Sequence, residues 1–140
     1  MLQYKKYKNL NSKSAGYNKI YGRAVINETY DLDMLAKHMA DHNTPFSKGA
    51  IKGVFTDMVA CIHELTLQGV AVKIPDLAIF SLGITCKPAE KPEDFSASNI
   101  TKFKLRARAT GEFTKKELDT VARASEMSKY DALSGTTGEA

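Results

Sequence analysis

Ten residues, Ile100–Ala109, alternate between apolar and basic side chains, and this pattern constrains the fold more than any other stretch. Successive side chains of a β-strand point to opposite faces, so a strand here has one apolar and one cationic face. The two sets are Phe103, Leu105, Ala107 and Ala109 on the first face, and Lys102, Lys104, Arg106 and Arg108 on the second. Such a cationic face is self-repelling unless solvent or an anion meets it. A solvated face that protects a strand edge is the simpler alternative.

Residues 69–86 predict the partner of this strand. Val72 and Ile74 alternate with polar or small residues, the pair Pro75-Asp76 interrupts the pattern, and a second strand continues to Cys86. Residues 87–98 then lack periodicity and contain two prolines, which is typical of a loop or mobile arm. The three segments together predict an antiparallel ribbon that ends in this arm.

Two amphipathic helices are predicted before the ribbon. Asp31 can cap the first, and apolar residues recur at helical spacing from Leu32 to Met39. Ser47 can cap the second, and Gly69 ends it where a left-handed backbone costs little. The stripe of the second helix comprises Ile51, Val54, Phe55, Met58, Val59, Ile62 and Leu65. This stripe has more apolar surface than one short neighbouring helix can cover.

The two ends of the chain predict smaller elements. Tyrosine-rich segments 2–9 and 17–26, separated by Asn, Ser and Gly, favour a β-hairpin. Near the other end, Thr114 and Glu117 form a capping-box pattern for a helix that is expected to reach about Ser128. The predicted division is a hairpin extension at 1–28, a central domain at 29–128 and a flexible tail at 129–140.

Basic residues are concentrated in two strand-like segments. The net charge is only +4, but residues 1–23 hold six basic and no acidic residues, and residues 100–109 hold four basic and no acidic residues. A localised basic surface is the usual electrostatic signature of a polyanion partner. No apolar run is long enough to span a membrane, and no signal peptide is predicted, so a cytoplasmic location is expected.

No pattern of reactive residues predicts an enzyme. Cys61 lies on the apolar side of the second helix and is expected to be a buried free thiol. His38 and His42 have i, i+4 spacing, but zinc needs more ligands than two, and His63 has no recognisable triad motif. We therefore expect no catalytic residues, no metal ligands and no cofactor.

The element order over residues 29–128 resembles that of the bacterial HU and integration host factor family. In that family a strand leads into a Pro-Gly-Phe-Gly-x-Phe motif and then into a β-ribbon arm. Here Pro75 and Phe80 match the motif, Leu77 replaces the aromatic residue, and Asp76 and Ala78 replace the glycines. With its basic hairpin, the chain is similar to a divergent, N-terminally extended subgroup.

The resemblance implies an α+β fold in which two chains intertwine, with a helical base and two antiparallel ribbon arms around double-stranded DNA. A homodimer is expected, with a heterodimer with a paralogue as the alternative. The resemblance also implies an architectural, histone-like, largely sequence-independent protein of the nucleoid. The residues that would contact DNA are Lys73, Lys87, Lys102, Lys104, Arg106 and Arg108, and the candidate minor-groove wedges are Pro88 and Pro92.

The arm departs from the family. Residues 87–94 carry two lysines against three acidic residues, where family arms are strongly basic. This departure favours weaker DNA bending. It also supports an alternative function, a dimeric HU-like protein-interaction module that has lost most DNA bending.

Overall fold

The computed structural model describes residues 1–130, which fold as a mixed α+β structure with two small sheets. Contacts divide the chain into two units. The central unit is Tyr30–Leu118, and the N-terminal unit is Met1–Thr29 with the described residues from Asp119 onward. The central unit therefore ends before the predicted limit of 128, and most of the predicted tail lies outside the described residues.

The two helices of the central unit begin where the sequence predicts. Helix α1, Leu32–Ala40, starts after Asp31, whose Oδ1 accepts a hydrogen bond of 2.9 Å from the Met34 amide. Helix α2, Lys48–Leu67, starts after Ser47, whose Oγ accepts from the Ala50 amide at 3.1 Å. Each bond satisfies an amide that the first helical turn leaves without an intrahelical acceptor. Gly69 follows α2 with a φ of +79°, the left-handed conformation predicted for it.

Helices α1 and α2 pack against each other. Ala36 and Ile51 are buried, and the Asp33 carboxylate bridges to Lys52 Nζ at 2.9 Å and to Lys48 Nζ at 3.8 Å. The Lys52 ammonium, through its hydrogen bond and its charge, holds the pKa of Asp33 below its ordinary value. All three side chains are about half exposed, so solvent screens this link.

The predicted ribbon is present as an antiparallel sheet in the order β3-β4-β5. Its strands are β3, Val72–Ile74; β4, Ala78–Cys86; and β5, Ile100–Ala109. Buried Thr110 fastens the base of the ribbon, because its hydroxyl donates to the Ile74 carbonyl and accepts from the Leu77 amide. The connection at the far end contains two single 3-10 turns, Pro92–Asp94 and Ala97–Asn99.

The N-terminal unit contains the predicted hairpin. Strands β1, Leu2–Lys8, and β2, Ile20–Ala24, pair antiparallel, and the connecting loop is held by side-chain hydrogen bonds such as Asn9 Nδ2 to Ser14 Oγ. A third strand, β6, Ala124–Glu126, pairs parallel with β1 and was not predicted.

The predicted extent of the last helix is wrong. Helix α3 spans Lys115–Val121 and ends seven residues before Ser128. Residues 124–126 instead form backbone hydrogen bonds with β1, in which Leu2 lies opposite Ala124. Capping and periodicity are local signals, so they could not reveal this pairing between the two ends of the chain.

Candidate nucleic-acid interface

One face of the ribbon carries five basic side chains. In the β4–β5 register, Lys102, Lys104, Arg106 and Arg108 lie opposite Thr85, Gly83, Ser81 and Ile79, respectively. Lys73 of β3 also lies opposite Ile79, so it shares the face with the four β5 residues. We call these five residues, Lys73, Lys102, Lys104, Arg106 and Arg108, the cationic face.

The β4 residues that pair with the basic residues of β5 lie on the same side of the ribbon, and they are neutral and mostly small. Gly83 leaves room for the basic side chains: a Cβ at this position would lie 2.7 Å from Arg106 Cδ and 3.5 Å from Lys104 Cε. Both side chains therefore extend across β4 at Gly83. Within residues 1–130, the ion pairs involve other lysines, and no carboxylate pairs with the cationic face. An external anion would thus meet five basic groups without first displacing an internal partner.

The other face of the ribbon is apolar, as the alternation predicts, but much of it is uncovered. Phe103 is 72% exposed, Leu105 is 63% exposed and Ile84 is 50% exposed. Ile84 lies opposite Phe103 in the register, and Leu82 lies opposite Leu105. These residues form a contiguous apolar surface on the side of the two strands that faces away from the cationic face.

Lys87, Pro88 and Pro92, the other predicted DNA-contacting residues, lie in the arm and are exposed. The Lys87 backbone is held at the ribbon end, because its amide donates to the Asn99 carbonyl at 2.8 Å and its carbonyl accepts from Asn99 Nδ2 at 3.2 Å. Pro92 is the first residue of a 3-10 turn, whereas Pro88 lies outside regular structure. The arm therefore begins at the Lys102 end of the cationic face, since Thr85, two residues before Lys87, lies opposite Lys102.

The turn before β4 explains how Asp76 can stand where the Pro-Gly-Phe-Gly-x-Phe motif of the HU family has its first glycine. Asp76 has a φ of +60°, a left-handed conformation that glycine adopts most easily and that aspartate tolerates better than most residues. Position 76 thus has the left-handed backbone that favours glycine, although an aspartate stands there. Ala78, at the other position, is buried at the start of β4, opposite Ile74 and Ala109.

The basic residues of the N-terminal unit lie on both faces of its sheet. Tyr7 and Tyr21 lie opposite each other, with ring centroids 6.0 Å apart, and the Arg23 guanidinium lies 5.4 Å from the Tyr7 ring centroid. This is cross-strand aromatic packing, the commoner role for tyrosines at such positions. On the opposite face, Lys6 Nζ forms an ion pair of 3.2 Å with Glu126.

The expectation that Cys61 is buried is wrong for this single chain. Its side chain is exposed, and so is that of Cys86. Helical periodicity places Cys61 on the same stripe of α2 as Val54 and Leu65, which are 66% and 38% exposed. The apolar stripe is present as predicted, but the described elements cover only part of it: Ile51 is buried, whereas Val54 and Val59 are exposed.

Two features of the ribbon were not anticipated from the sequence. Thr110 fastens the base of β5 to the turn at residues 74–77, and Gly83 makes room for the basic side chains. A glycine within an otherwise apolar strand can signal the close approach of other atoms, so Gly83 could have been singled out. Thr110 has no comparable signal, because its partners are more than 30 residues away.

In the part of the chain that the structure describes, no helix is both long and apolar enough to cross a membrane. No curated protein matches the chain. A solved structure of a candidate bacterial DNA-binding protein from Bacteroides vulgatus ATCC 8482 is similar, with a TM-score of 0.65 at 11% sequence identity. The match covers 90% of this chain and 48% of the other, so the chain spans about half the length of that protein. At this identity the similarity shows a shared fold.

The comparison with protein families gives the assignment. The model of the HU-HIG family, described as an HU domain fused to wHTH, Ig, or Glycine-rich motif, matches residues 1–124. The match includes the N-terminal hairpin as well as the helices and the ribbon. The resemblance to HU proteins seen in the sequence covers only the helices and the ribbon. The chain therefore belongs to the HU-HIG family of HU-domain proteins.

Proposed function

We propose that the protein is an architectural DNA-binding protein that acts as a dimer and binds double-stranded DNA with little dependence on sequence. The single observation that carries this proposal is the cationic face, five basic side chains on one side of the ribbon that have no acidic partner among residues 1–130. Membership of an HU family supports the same function.

The chemistry of the cationic face favours contacts with the DNA backbone. Lysine and arginine neutralise phosphates and release condensed counterions, which supplies affinity that depends strongly on salt. Phosphate contacts position a protein on the duplex but carry no sequence information. The residues interspersed on this face, such as Ser81 and Gly83, are too short to extend past the basic side chains to base edges. Binding with little sequence dependence follows from this arrangement.

The uncovered apolar surfaces support the dimer. Ala36, Ile51 and Ala78 are the buried apolar residues within residues 1–130, and no large side chain there is fully buried. On α2, Val54 is 66% exposed and Val59 is 59% exposed, in addition to the apolar face of the ribbon. Contiguous apolar surface of this kind is typical of an interface, and a second copy of the chain offers matching surfaces by symmetry. In this proposal the dimer resides on the nucleoid in the cytoplasm.

The site assignment is tested by charge reversal in the triple variant Lys104→Glu, Arg106→Glu, Arg108→Glu. We expect its affinity for a mixed-sequence duplex to fall by at least about 100-fold, because three phosphate contacts per chain are replaced by repulsion. Gel filtration should show that the variant keeps the oligomeric state of the wild type, since the apolar face is unchanged. Unchanged DNA affinity would show that the cationic face is not the binding surface.

The matched control reverses three lysines outside the ribbon, Lys13, Lys116 and Lys129, which are all exposed. This variant has the same net charge as the test variant, so it measures the effect of net charge alone. We expect it to retain most of the affinity. An equal loss in both variants would mean that overall charge, and not the ribbon, governs binding.

A second candidate function is a dimeric HU-like module that binds another protein and has lost most DNA bending. The arm favours it, because Glu90, Glu93 and Asp94 outnumber Lys87 and Lys91, and because Pro92 already begins a 3-10 turn. An acidic arm is repelled by the phosphates that flank a minor groove. If this function is correct, neither linear, bent nor nicked duplexes will show a mobility shift at low salt.

A further inference from the structure

The C-terminal end of α1 brings together two histidine side chains that DNA binding does not use. His38 Nε2 lies 3.0 Å from His42 Nε2, and the ring centroids are 4.6 Å apart with an interplanar angle of 65°. Both residues are exposed. His38 lies in the last turn of α1, and His42 lies two residues after the end of the helix, in the turn that follows.

The sequence alone predicts no metal ligands, but from the close approach of the two Nε2 atoms we propose that His38 and His42 form an open, two-ligand binding site for a divalent transition-metal ion of the kind that imidazole prefers, with Cu²⁺, Ni²⁺ and Zn²⁺ as the candidates. Bonds from such ions to imidazole nitrogen are about 2.0–2.1 Å long. Two ligands that subtend an angle of about 90–109° at the metal therefore have nitrogen atoms about 2.8–3.4 Å apart. The observed 3.0 Å lies within this range and corresponds to an angle of about 91–97° at the metal.

Binding at this site needs a tautomer change but no loss of a proton from a neutral pair. At 3.0 Å, one Nε2–H group donates to the lone pair of the other Nε2 atom. A metal ion needs a lone pair on both Nε2 atoms. The donating ring therefore releases its Nε2 proton and takes one up at Nδ1, so both rings remain neutral while both Nε2 atoms coordinate.

The surroundings of the pair favour a cation. The histidines lie at the C-terminal end of α1, where the helix carries a partial negative charge. Asp41 lies between them in sequence, and the Lys37 ammonium, 2.9 Å from its Oδ2, is the main reason that its pKa lies below the ordinary value. Lys37 offsets part of the attraction of Asp41 for a metal. Tyr30 packs edge-on against His38, with ring centroids 6.3 Å apart.

The site would be open. Among residues 1–130, no group of three or more His, Cys, Asp or Glu side chains could enclose a metal ion. Water would therefore occupy the remaining coordination positions, unlike in a structural zinc site with four protein ligands. Two imidazoles favour Cu²⁺ over Ni²⁺ and Zn²⁺ in the usual order of stability, and they disfavour Mg²⁺, which prefers oxygen ligands.

Isothermal titration of the full chain with CuCl₂, NiCl₂, ZnCl₂ or MgCl₂ tests the site, with Cys61→Ser and Cys86→Ser in every protein so that the two exposed thiols neither bind nor reduce the metal. We expect one Cu²⁺ ion per chain, weaker Ni²⁺ and Zn²⁺ binding, and no heat from Mg²⁺. His38→Ala and His42→Ala should each lower the affinity at least about tenfold, because one of two ligands is lost. His63→Ala is the matched control, since His63 is exposed on α2 and has no histidine partner. It should bind like the wild type.

Thermal denaturation with and without Cu²⁺ gives a second measurement that also detects misfolded variants. The metal should raise the melting temperature of the wild type and of His63→Ala, but not that of the other two variants. Retained affinity in His38→Ala or His42→Ala would overturn the proposal, as would equal losses in all three variants or the absence of binding in the wild type. Neither the titration nor the thermal denaturation contains DNA, so failure of the metal site and failure of the proposed DNA binding can be told apart.

Discussion

The backbone of Asp76 lies so close to Gly111 that a side chain at position 111 has no space. A Cβ built on Gly111 would lie 2.9 Å from Asp76 Cα and 1.9 Å from Asp76 Oδ1. Both residues have a positive φ, +60° at Asp76 and +52° at Gly111. The turn that leads into β4 and the second residue after the end of β5 thus meet at the base of the ribbon, beside the hydrogen bonds of Thr110.

Replacing Gly111 with alanine should destabilise the protein. The left-handed backbone and the contact with the Asp76 backbone both oppose a side chain, and we expect a loss of about 1–3 kcal/mol in the free energy of unfolding. Urea denaturation measures this change. Gly49→Ala is the control, because a Cβ at Gly49 meets nothing within 4 Å and lies in a helix, where alanine is favoured. A Gly111→Ala variant as stable as the wild type would contradict the close approach.

Replacing Leu105 with lysine should disrupt the proposed dimer. Light scattering of the wild type should give twice the chain mass of 15.4 kDa, whereas Leu105→Lys should give a monomer or an unfolded chain. Leu105 is 63% exposed in one protomer and would lie in the apolar interface of the dimer. A lysine at this position would place an unpaired charge in that interface. Thr85→Lys, on the opposite face of the ribbon, should leave the mass unchanged. A wild type that is a stable, folded monomer would refute the dimer.

Glu126 should contribute to stability at neutral pH and lose this contribution in acid. The hydroxyl of Tyr130 and then the ammonium of Lys6 hold its pKa below the ordinary value. A carboxylate with a lowered pKa in the folded state stabilises that state above its unfolded pKa, and the stabilisation disappears as pH falls through the folded pKa. Glu126→Gln should therefore lower the melting temperature at about pH 7 and have much less effect at a pH low enough to protonate the Glu126 carboxyl in the folded state.

The matched control for this titration is Glu90→Gln. Glu90 is exposed in the arm and forms no ion pair among residues 1–130. Its replacement should change the melting temperature little at either pH. An effect of Glu126→Gln that is equally large at both pH values would show that packing, and not ionisation, is responsible.

Local signals predicted much of the fold because they act within a few residues. The caps at Asp31 and Ser47 depend on amides three residues away, and the left-handed Gly69 depends on the end of its own helix. The two faces of β5 follow from strict alternation, which leaves a strand only one way to divide its side chains. The cationic face was predictable for the same reason.

What the sequence could not show depends on contacts between distant residues. Strand β6 forms because residues 124–126 meet the edge of β1, more than 100 residues away, and this pairing overrides the tendency of α3 to continue. The exposure of Cys61 likewise depends on which elements cover α2. Periodicity identified the apolar stripe of α2 but not what covers it.

The central claim, that the cationic face binds DNA phosphates, is tested most directly by the salt dependence of affinity for a mixed-sequence duplex. If each of its five residues neutralises one phosphate, the slope of log affinity against log salt should lie between about −4.5 for one engaged face and about −9 for two. Arg106→Gln should reduce the magnitude of this slope by about 1 per engaged face. A slope near zero, or no binding at low salt, would contradict the account.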